Sequence, residues 1–447
     1  MNAAYHFGSR RSRLIPTLLL LPGMLLYILL SLGPSLATVF YSFTDASGLI
    51  GSPMKWLGLG NYKEFLFMGQ NARDNFEVLV RTLEFSFLVT VIQTSFGLLI
   101  AVLLNQRLKA TNAFRTLFFL PVILGVTIIG LMWTLFLYPL GGPVEKILGL
   151  FGAQSELLGG PPFQAFLWVI WVQIWANMGI TMVIFLAGLQ TIPGELVESS
   201  RIDGASGWQA FRHITYPLLM PSMNTNLTLA IIGSLQAWQL LLVMKGVTNG
   251  TQVLGLTIYA IAFGRTTNNP TAVAMRQGYG AHHRNDGAVP HAAQREAGTR
   301  MSAPESKPLV SPASPIVLSA PAGRHPKVRW GVYAALALVA LVYIGPMLTV
   351  VNVALKTRQE FTLDPTSLAN GLHFENFVTA WNKANFPLYL RNTVLYAVVA
   401  TGLYVLTAVF VAFPISRRYV RGSGFLFSLF VIALFLPYAL IPQFQLM

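Results

Sequence analysis

The chain of 447 residues is 54% hydrophobic and only 10% charged, with a mean hydropathy of +0.58. Soluble domains carry about 25% charged residues, so the composition excludes an ordinary soluble protein and indicates an integral membrane protein. Cysteine is absent, which excludes disulfides and thiolate metal sites. In so apolar a chain the net charge of +14 reads as basic loops on one membrane face rather than as a nucleic-acid surface.

The first apolar stretch, at about 15–38, follows Arg10, Arg11 and Arg13. It is too long for the core of a cleaved signal peptide, and it is expected to be an uncleaved span with the N-terminus in the cytoplasm. Further spans are expected at about 83–105, 116–138, 163–190 and 218–244. Each approaches or exceeds the roughly 20 apolar residues that a helix needs to cross the hydrocarbon core, and none shows the alternation of a barrel strand. Basic residues set the orientation. Arg107, Lys109 and Arg115 lie between the second and third spans, and Arg201 and Arg212 between the fourth and fifth. On the other side, the basic residues of 44–82 are balanced by Asp45, Glu64, Asp74 and Glu77, and the one basic residue of 139–162 is Lys146. The positive-inside rule then puts the N-terminal side in the cytoplasm.

On that inner side, residues 195–221 read "ELVESSRIDGASGWQAFRHITYPLLMP". Glu198, Arg201 and Asp203 make its start polar and helical, and Gly204 permits a tight turn because it tolerates positive φ. Trp208, Phe211 and Ile214 recur every three residues, one apolar stripe on a second short helix, and Pro217 and Pro221 end it. The pattern is a helix–turn–helix finger. On physics alone, an interfacial amphipathic loop fits as well.

The order Glu198-Ser199-Ser200, Asp203-Gly204-Ala205, Ile214 and Pro217 resembles the EAA loop of ABC importer permeases. Ser199, Ser200 and Tyr216 stand where Ala, Ala and Leu are usual. "WLGLGNYKEFL" at 56–66, "LLIAVLLNQRLKATNAFRTLFFLPVIL" at 98–124 and "LAGLQTIP" at 186–193 are similar to the carbohydrate branch, the maltose and glycerol-phosphate permeases, so the resemblance covers about 14–280. It implies an all-α multispan ABC importer permease fold in a bacterial-type cytoplasmic (inner) membrane. It also implies a cytoplasmic ABC ATPase dimer with the loop docked in its groove, a second permease subunit, an extracytoplasmic solute-binding protein and a sugar or sugar-like substrate. Glu198, Arg201, Asp203, Gly204, Ala205, Phe211, Ile214 and Pro217 are the residues it assigns to coupling. The chain contains no G-x-x-x-x-G-K-[ST] loop to cradle phosphates. ATP and Mg²⁺ therefore belong to a separate chain, and neither a cofactor nor a catalytic residue is expected in this one.

Candidates for the substrate path lie inside spans. Trp168, Trp171 and Trp175 share one helical face, with Asn177 nearby, and Gln236, Trp238 and Gln239 lie in the fifth span. Aromatic faces stack on sugar rings and amides bond hydroxyls, while tryptophan also serves helix packing and membrane interfaces. The carbohydrate family usually has an acidic residue where Gln239 stands. An ion-coupled secondary transporter or channel is the alternative. It usually carries ionisable groups within spans, and few occur here apart from Glu84.

After residue 250 the topology conflicts with itself. Five spans from a cytoplasmic start end outside. Arg324, Lys327 and Arg329 nevertheless precede a span at about 330–352, and "SRRYVRG" at 416–422 separates spans at about 392–414 and 424–445, so this second part also starts inside. One crossing is missing, and "QGYGAHHRNDGAVPHAAQREAGTRM" at 277–301 occupies its place. His282 and His283 are adjacent and His291 follows without an acidic partner, a poor geometry for a metal. A linker would follow a sixth span rather than replace it. Read from the second base, one permitted set of codons for 281–301 gives "LIIGMTVLFLMLLSVKLGLA" and then a stop overlapping Met301, a segment of spanning length. Residues 302–323 are a Ser/Pro/Ala-rich leader. "ALKTRQEF", "HFENFVTAWNKANFPLYLRNTVLYAV" and "LPYALIPQFQLM" resemble the partner permease of the same system. The expected organisation is a first permease domain at 1–280 without a clear last span, a polar joint at 281–329, and the N-terminal half of a second permease at 330–447. A frameshift between two adjacent genes is expected to join them.

Overall fold

The computed structural model describes residues 10–45, 54–69, 72–106, 110–138, 141–152, 162–245, 250–263, 330–420 and 422–433. The joint expected at 281–329 lies outside the described residues, as do residues 434–447 of the last expected span.

The described residues are helical, with one isolated antiparallel bridge between Thr44 and Trp56. α1 (Arg10–Tyr27) passes through a π turn into α2 (Gly33–Tyr41), and the short α3 (Gly60–Lys63) leads to α4 (Ala72–Leu104). Then come α5 (Thr111–Ile123), α6 (Val126–Phe136), α7 (Pro143–Leu150) and α8 (Pro162–Gln190). α9 (Gly194–Ile202), α10 (Gly207–Ala210) and α11 (Tyr216–Leu218) precede α12 (Met220–Leu235), α13 (Gln239–Lys245) and α14 (Leu254–Phe263). Beyond the joint lie α15 (Trp330–Ala354), α16 (Arg358–Leu363), α17 (Glu375–Lys383), α18 (Phe386–Ser416) and α19 (Ser423–Ala433).

Pro16–Tyr41, α4, α8, α15 and α18 are each long and apolar enough to cross a membrane. Two expected spans are not single helices. The one at 116–138 is α5 and α6, bent by 105°. Leu124 and Gly125 are extended between them. Pro121, in the last turn of α5, has no N–H to give the preceding turn, so the helix is weakened just before the break. The span expected at 218–244 is likewise α12 and α13, interrupted at Gln236–Trp238.

The helices gather into two compact units that do not follow the sequence division at the joint. One takes the chain up to Arg73 and from Ala380 onward. In it α1 packs along α18, and Gly23 leaves room for Val411. The Tyr27 hydroxyl donates to the Leu429 carbonyl at 3.0 Å while its ring lies 4.4 Å from that of Phe430. The other unit takes Asp74–Arg265 together with Pro315–Thr379, so α15 belongs to the same core as α4–α14.

That second core is built around α8. Gly179 of α8 faces the main chain of Phe118 and Phe119 in α5 so closely that a Cβ there would strike the Phe118 carbonyl. Small residues allow such backbone contact where lipid offers no hydrophobic drive between helices. Trp175, Trp133, Phe118 and Tyr343 are fully buried together. The Tyr343 hydroxyl donates to the Trp175 carbonyl at 2.5 Å, and the Trp175 indole N–H donates to the Tyr343 carbonyl at 3.2 Å. Each bond uses the spare lone pair of a helical carbonyl. Edge contacts from Trp133 to Trp175 (5.5 Å) and from Phe118 to Tyr343 (5.2 Å) close the cluster.

After α15 the chain folds on itself through polar contacts. Lys356 Nζ donates to the carbonyls of Asp364 and Pro365 and to Ser367 Oγ. Asn352 pairs with Ser367 and Ala369, and Thr357 with Glu360 makes a capping box at the start of α16. Lys146 bonds both oxygens of Asp364 at 2.7 Å. That ammonium, followed by the Thr366 donors, holds the Asp364 carboxyl far below the usual carboxylate range.

Two predictions follow from this packing. Tyr343→Phe removes one hydrogen bond and is expected to destabilise the core by about 1 kcal/mol. Tyr343→Ala also opens a cavity and should cost about 3–5 kcal/mol. Thermal unfolding of the detergent-solubilised chain checks the ranking, and equal small effects would show that α15 is not anchored here. Because the Asp364 carboxyl is depressed, its stabilisation is complete above the ordinary carboxylate value of about 3.9 and is lost as pH falls below it. The unfolding midpoint should therefore drop more steeply between about pH 4 and pH 2 in the native chain than in Asp364→Asn. Parallel curves would remove Asp364 from the account.

Candidate functional site

The finger expected between the fourth and fifth spans is present, and two local motifs set back to back make it stiff. α9 ends in a Schellman turn: the Ala205 N–H donates to the Ser200 carbonyl at 2.9 Å and the Gly204 N–H to the Arg201 carbonyl at 3.2 Å. Gly204 occupies the left-handed position with φ +84°, where a Cβ costs about 1–2 kcal/mol. Ser206 then caps α10. Its hydroxyl accepts from the Gln209 N–H, and the Gln209 side chain accepts from the Ser206 N–H at 2.8 Å. Only Ala205 separates the two motifs.

The surface of the finger is charged and apolar at once. Glu198, Arg201, Asp203 and Gly204 are exposed, Ala205, Phe211 and Ile214 are half-buried, and Pro217 is exposed. No ion pair among the described residues includes Glu198, Arg201 or Asp203. Ile202 is 85% and Trp208 68% exposed, and the Trp208 ring stacks on Phe211 at 5.6 Å. The apolar stripe expected at Trp208, Phe211 and Ile214 thus does not face inward as a whole. Ala210 and Leu219 are buried instead, and Trp208 is presented outward. The chain passes through a π turn at Phe211–Thr215 and α11 into α12, bent by 68°.

The residues expected along a substrate path are placed unequally. Trp175 is enclosed in the core, its N–H already bonded to the Tyr343 carbonyl, and it presents no surface to a solute. Trp168 and Trp171 are half-buried at the edge of the same cluster, Trp171 against Phe96 at 6.3 Å. Asn177 is half-buried, with its amide donating to the Gln173 carbonyl at 2.9 Å. Gln236 and Trp238 sit in the interruption between α12 and α13, and exposed Gln239 begins α13. Trp238 stacks on Tyr259 at 4.4 Å. A broken helix inside a span leaves main-chain groups without their intrahelical partners, a state tolerated in a bilayer where protein or a polar cavity meets them.

A ladder of buried polar residues was not among the expected candidates. Thr82, Ser86, Thr90 and Thr94 recur every four residues on α4, with Gln93 beside them, all buried. Ser86 bonds Ser234 of α12 at 2.8 Å, Gln93 donates to Thr181 of α8 at 2.9 Å, and the Leu254 N–H donates to Thr82 at 2.8 Å. The spacing of four was visible in the sequence. It is masked by the apolar residues around it, which are what a search for spans counts.

Residues 93–276 match the family of binding-protein-dependent transport system inner membrane components. The chain is 30% identical over 253 residues to a probable starch degradation products transport system permease protein, AmyD, of Thermoanaerobacterium thermosulfurigenes, covering 55% of this chain and 82% of that one. It is 32% identical over 250 residues to the multiple sugar-binding transport system permease protein MsmF of Streptococcus mutans serotype c, covering 55% and 83%. A solved bacterial ABC transporter involved in the import of alginate aligns with a TM-score of 0.49 at 20% identity, over 60% of this chain and 91% of that chain. With a polytopic helical architecture, a stiff finger between spans and more than four-fifths of two permeases covered, the chain belongs to the binding-protein-dependent transport family and is a transmembrane permease subunit of an ABC importer.

Proposed function

We propose that this permease imports carbohydrates and that the finger at Gly194–Leu218 couples it to an ATPase dimer made of other chains. The substrate class rests on relatives named for sugar transport, starch degradation products for AmyD and multiple sugars for MsmF. The observation that carries the coupling role is the stiff turn at Ala205, flanked by a Schellman motif and a capping box. A turn locked on both sides moves as a body, and rigid elements carry motion between packed units. Glu198, Arg201 and Asp203 offer charges, and Ile202 and Trp208 offer apolar surface that a partner would cover. Ala205, Phe211, Ile214 and Pro217 hold the shape of the finger.

In this reading the finger and the N-terminus are cytoplasmic, an extracytoplasmic solute-binding protein delivers the sugar, and a second permease completes the path. Trp168, Trp171, Asn177, Gln236, Trp238 and Gln239 remain path candidates, with Ser86, Gln93, Thr181 and Ser234 supporting the helices around them. The segment from Trp330 is the start of the partner permease, joined through a shifted reading frame at 281–301.

Gly204→Val places a β-branched residue at positive φ and is expected to lower solute-stimulated ATP hydrolysis at least about tenfold, corresponding to about 1.4 kcal/mol or more. Trp208→Ala should weaken recovery of the ATPase with the permease while leaving the unfolding midpoint within a few degrees. Stimulated hydrolysis in proteoliposomes and co-purification check both, and unchanged coupling in the two variants would sink the assignment. The coding DNA across 275–303 tests the joint. Shifted-frame codons that give charged residues or internal stops would refute it.

A further inference from the structure

A surface in the second part of the chain has no role in coupling or in the path. α17 is amphipathic. Phe374, just before it, and Phe377, Val378 and Trp381 lie within one arc and are all exposed, while Glu375, Asn376, Thr379, Asn382 and Lys383 take the opposite arc. Asn376 donates to the carbonyls of Ala354 and Lys356 at 3.0 and 2.9 Å, tying the polar face of α17 to the end of the preceding span. Two residues after α17, with Asn385 turning the chain at φ +48°, the apolar helix α18 begins. The amphipathic helix thus lies where one span ends and the next begins, the level at which such helices rest in a bilayer surface.

Beside it is a groove of about 650 Å³. Trp381 lines it, 4.6 Å from the ring of Phe386. Leu390, Val394, Val398 and Val399 of α18 form its apolar wall, and Arg391 of the same helix lines it too. Arg391 is exposed, and no ion pair among the described residues includes it. From Arg391 to Val399 the helix rises about 12 Å, close to the depth of one leaflet of a hydrocarbon core about 30 Å thick. An arginine on a span near its end extends its guanidinium toward the headgroups, and tryptophan favours the same level.

We propose that this groove seats a phospholipid, with its phosphate on Arg391, its glycerol level beside Trp381, and one acyl chain along Leu390, Val394 and Val398. Charge complementarity selects the occupant. A lone guanidinium above an apolar wall matches a phosphate above a hydrocarbon chain. A protein helix on this wall would leave the guanidinium facing apolar side chains unless it brought its own acidic group. The proposal needs only the membrane location of the chain and stands apart from the coupling and substrate assignments.

The absence of cysteine allows the test to be made on the full chain. Val398→Cys in the groove and Ala400→Cys, two residues on and on the opposite side of α18, are each labelled with a nitrobenzoxadiazole probe. Each is reconstituted in phosphatidylcholine vesicles with increasing fractions of mid-chain-brominated phosphatidylglycerol. The groove label should reach half-quenching at a brominated fraction about fivefold lower than the Ala400 label, the effect of roughly one basic residue at a phospholipid surface. Arg391→Gln should remove that difference and Arg391→Lys should retain most of it. Coincident curves for the two labels in the chain with Arg391 intact would overturn the proposal by showing ordinary lipid contact. A groove label reached by neither bromolipid nor aqueous iodide would overturn it in favour of a protein helix on this wall.

Discussion

Inside a bilayer no water pairs with a main-chain amide or carbonyl, so each must find its partner within the protein. This constraint organises the whole molecule. It makes the apolar runs helical, and it confines irregular backbone to places where protein covers it. The two broken spans meet the constraint in different ways. Between α5 and α6 a proline and an extended pair turn the chain sharply. Between α12 and α13 the open turn at Gln236–Trp238 carries one amide side chain of its own, Gln236, and Trp238 packs on Tyr259.

Because lipid is as apolar as leucine, the helices are held together by close approach and by polar bonds between them. Gly179 lets α8 meet the backbone of α5. Tyr343 and Trp175 exchange bonds with each other's carbonyls. The α4 ladder joins α4 to α8 and α12. Such contacts specify neighbours more than they add stability, since the unfolded chain in a membrane also finds polar partners. They link the helix that follows the finger to the centre of its unit.

The finger was largely legible. Gly204 was read as a left-handed position from residue type, and it is one. Ser206 and Gln209 have the spacing of a capping box in the sequence and form one in the structure. Periodicity puts Trp208 on one stripe with Phe211 and Ile214, yet Trp208 is exposed while those two are half-buried, because the one-turn helix α10 turns Ala210, on the face opposite Trp208, into the protein. Trp175 was read as a candidate solute contact because aromatic residues suit sugars. Only its neighbours show that it is packing, and the residue that closes over it, Tyr343, is 168 positions away.

By itself the sequence determined the membrane class, the approximate places of the long helices, the finger and the resemblance to carbohydrate importers. All of these rest on local composition or on short spacing. The tertiary structure decided what depends on distant neighbours: that α15 belongs to the core of α4–α14, that two expected spans are broken, that an α4 ladder binds three helices, and that Trp381 and Arg391 line one apolar groove. Hydropathy reports how each segment partitions between water and lipid. It is silent on which apolar segments meet one another, because in a bilayer every apolar face is equally content until shape and a few polar bonds choose among them.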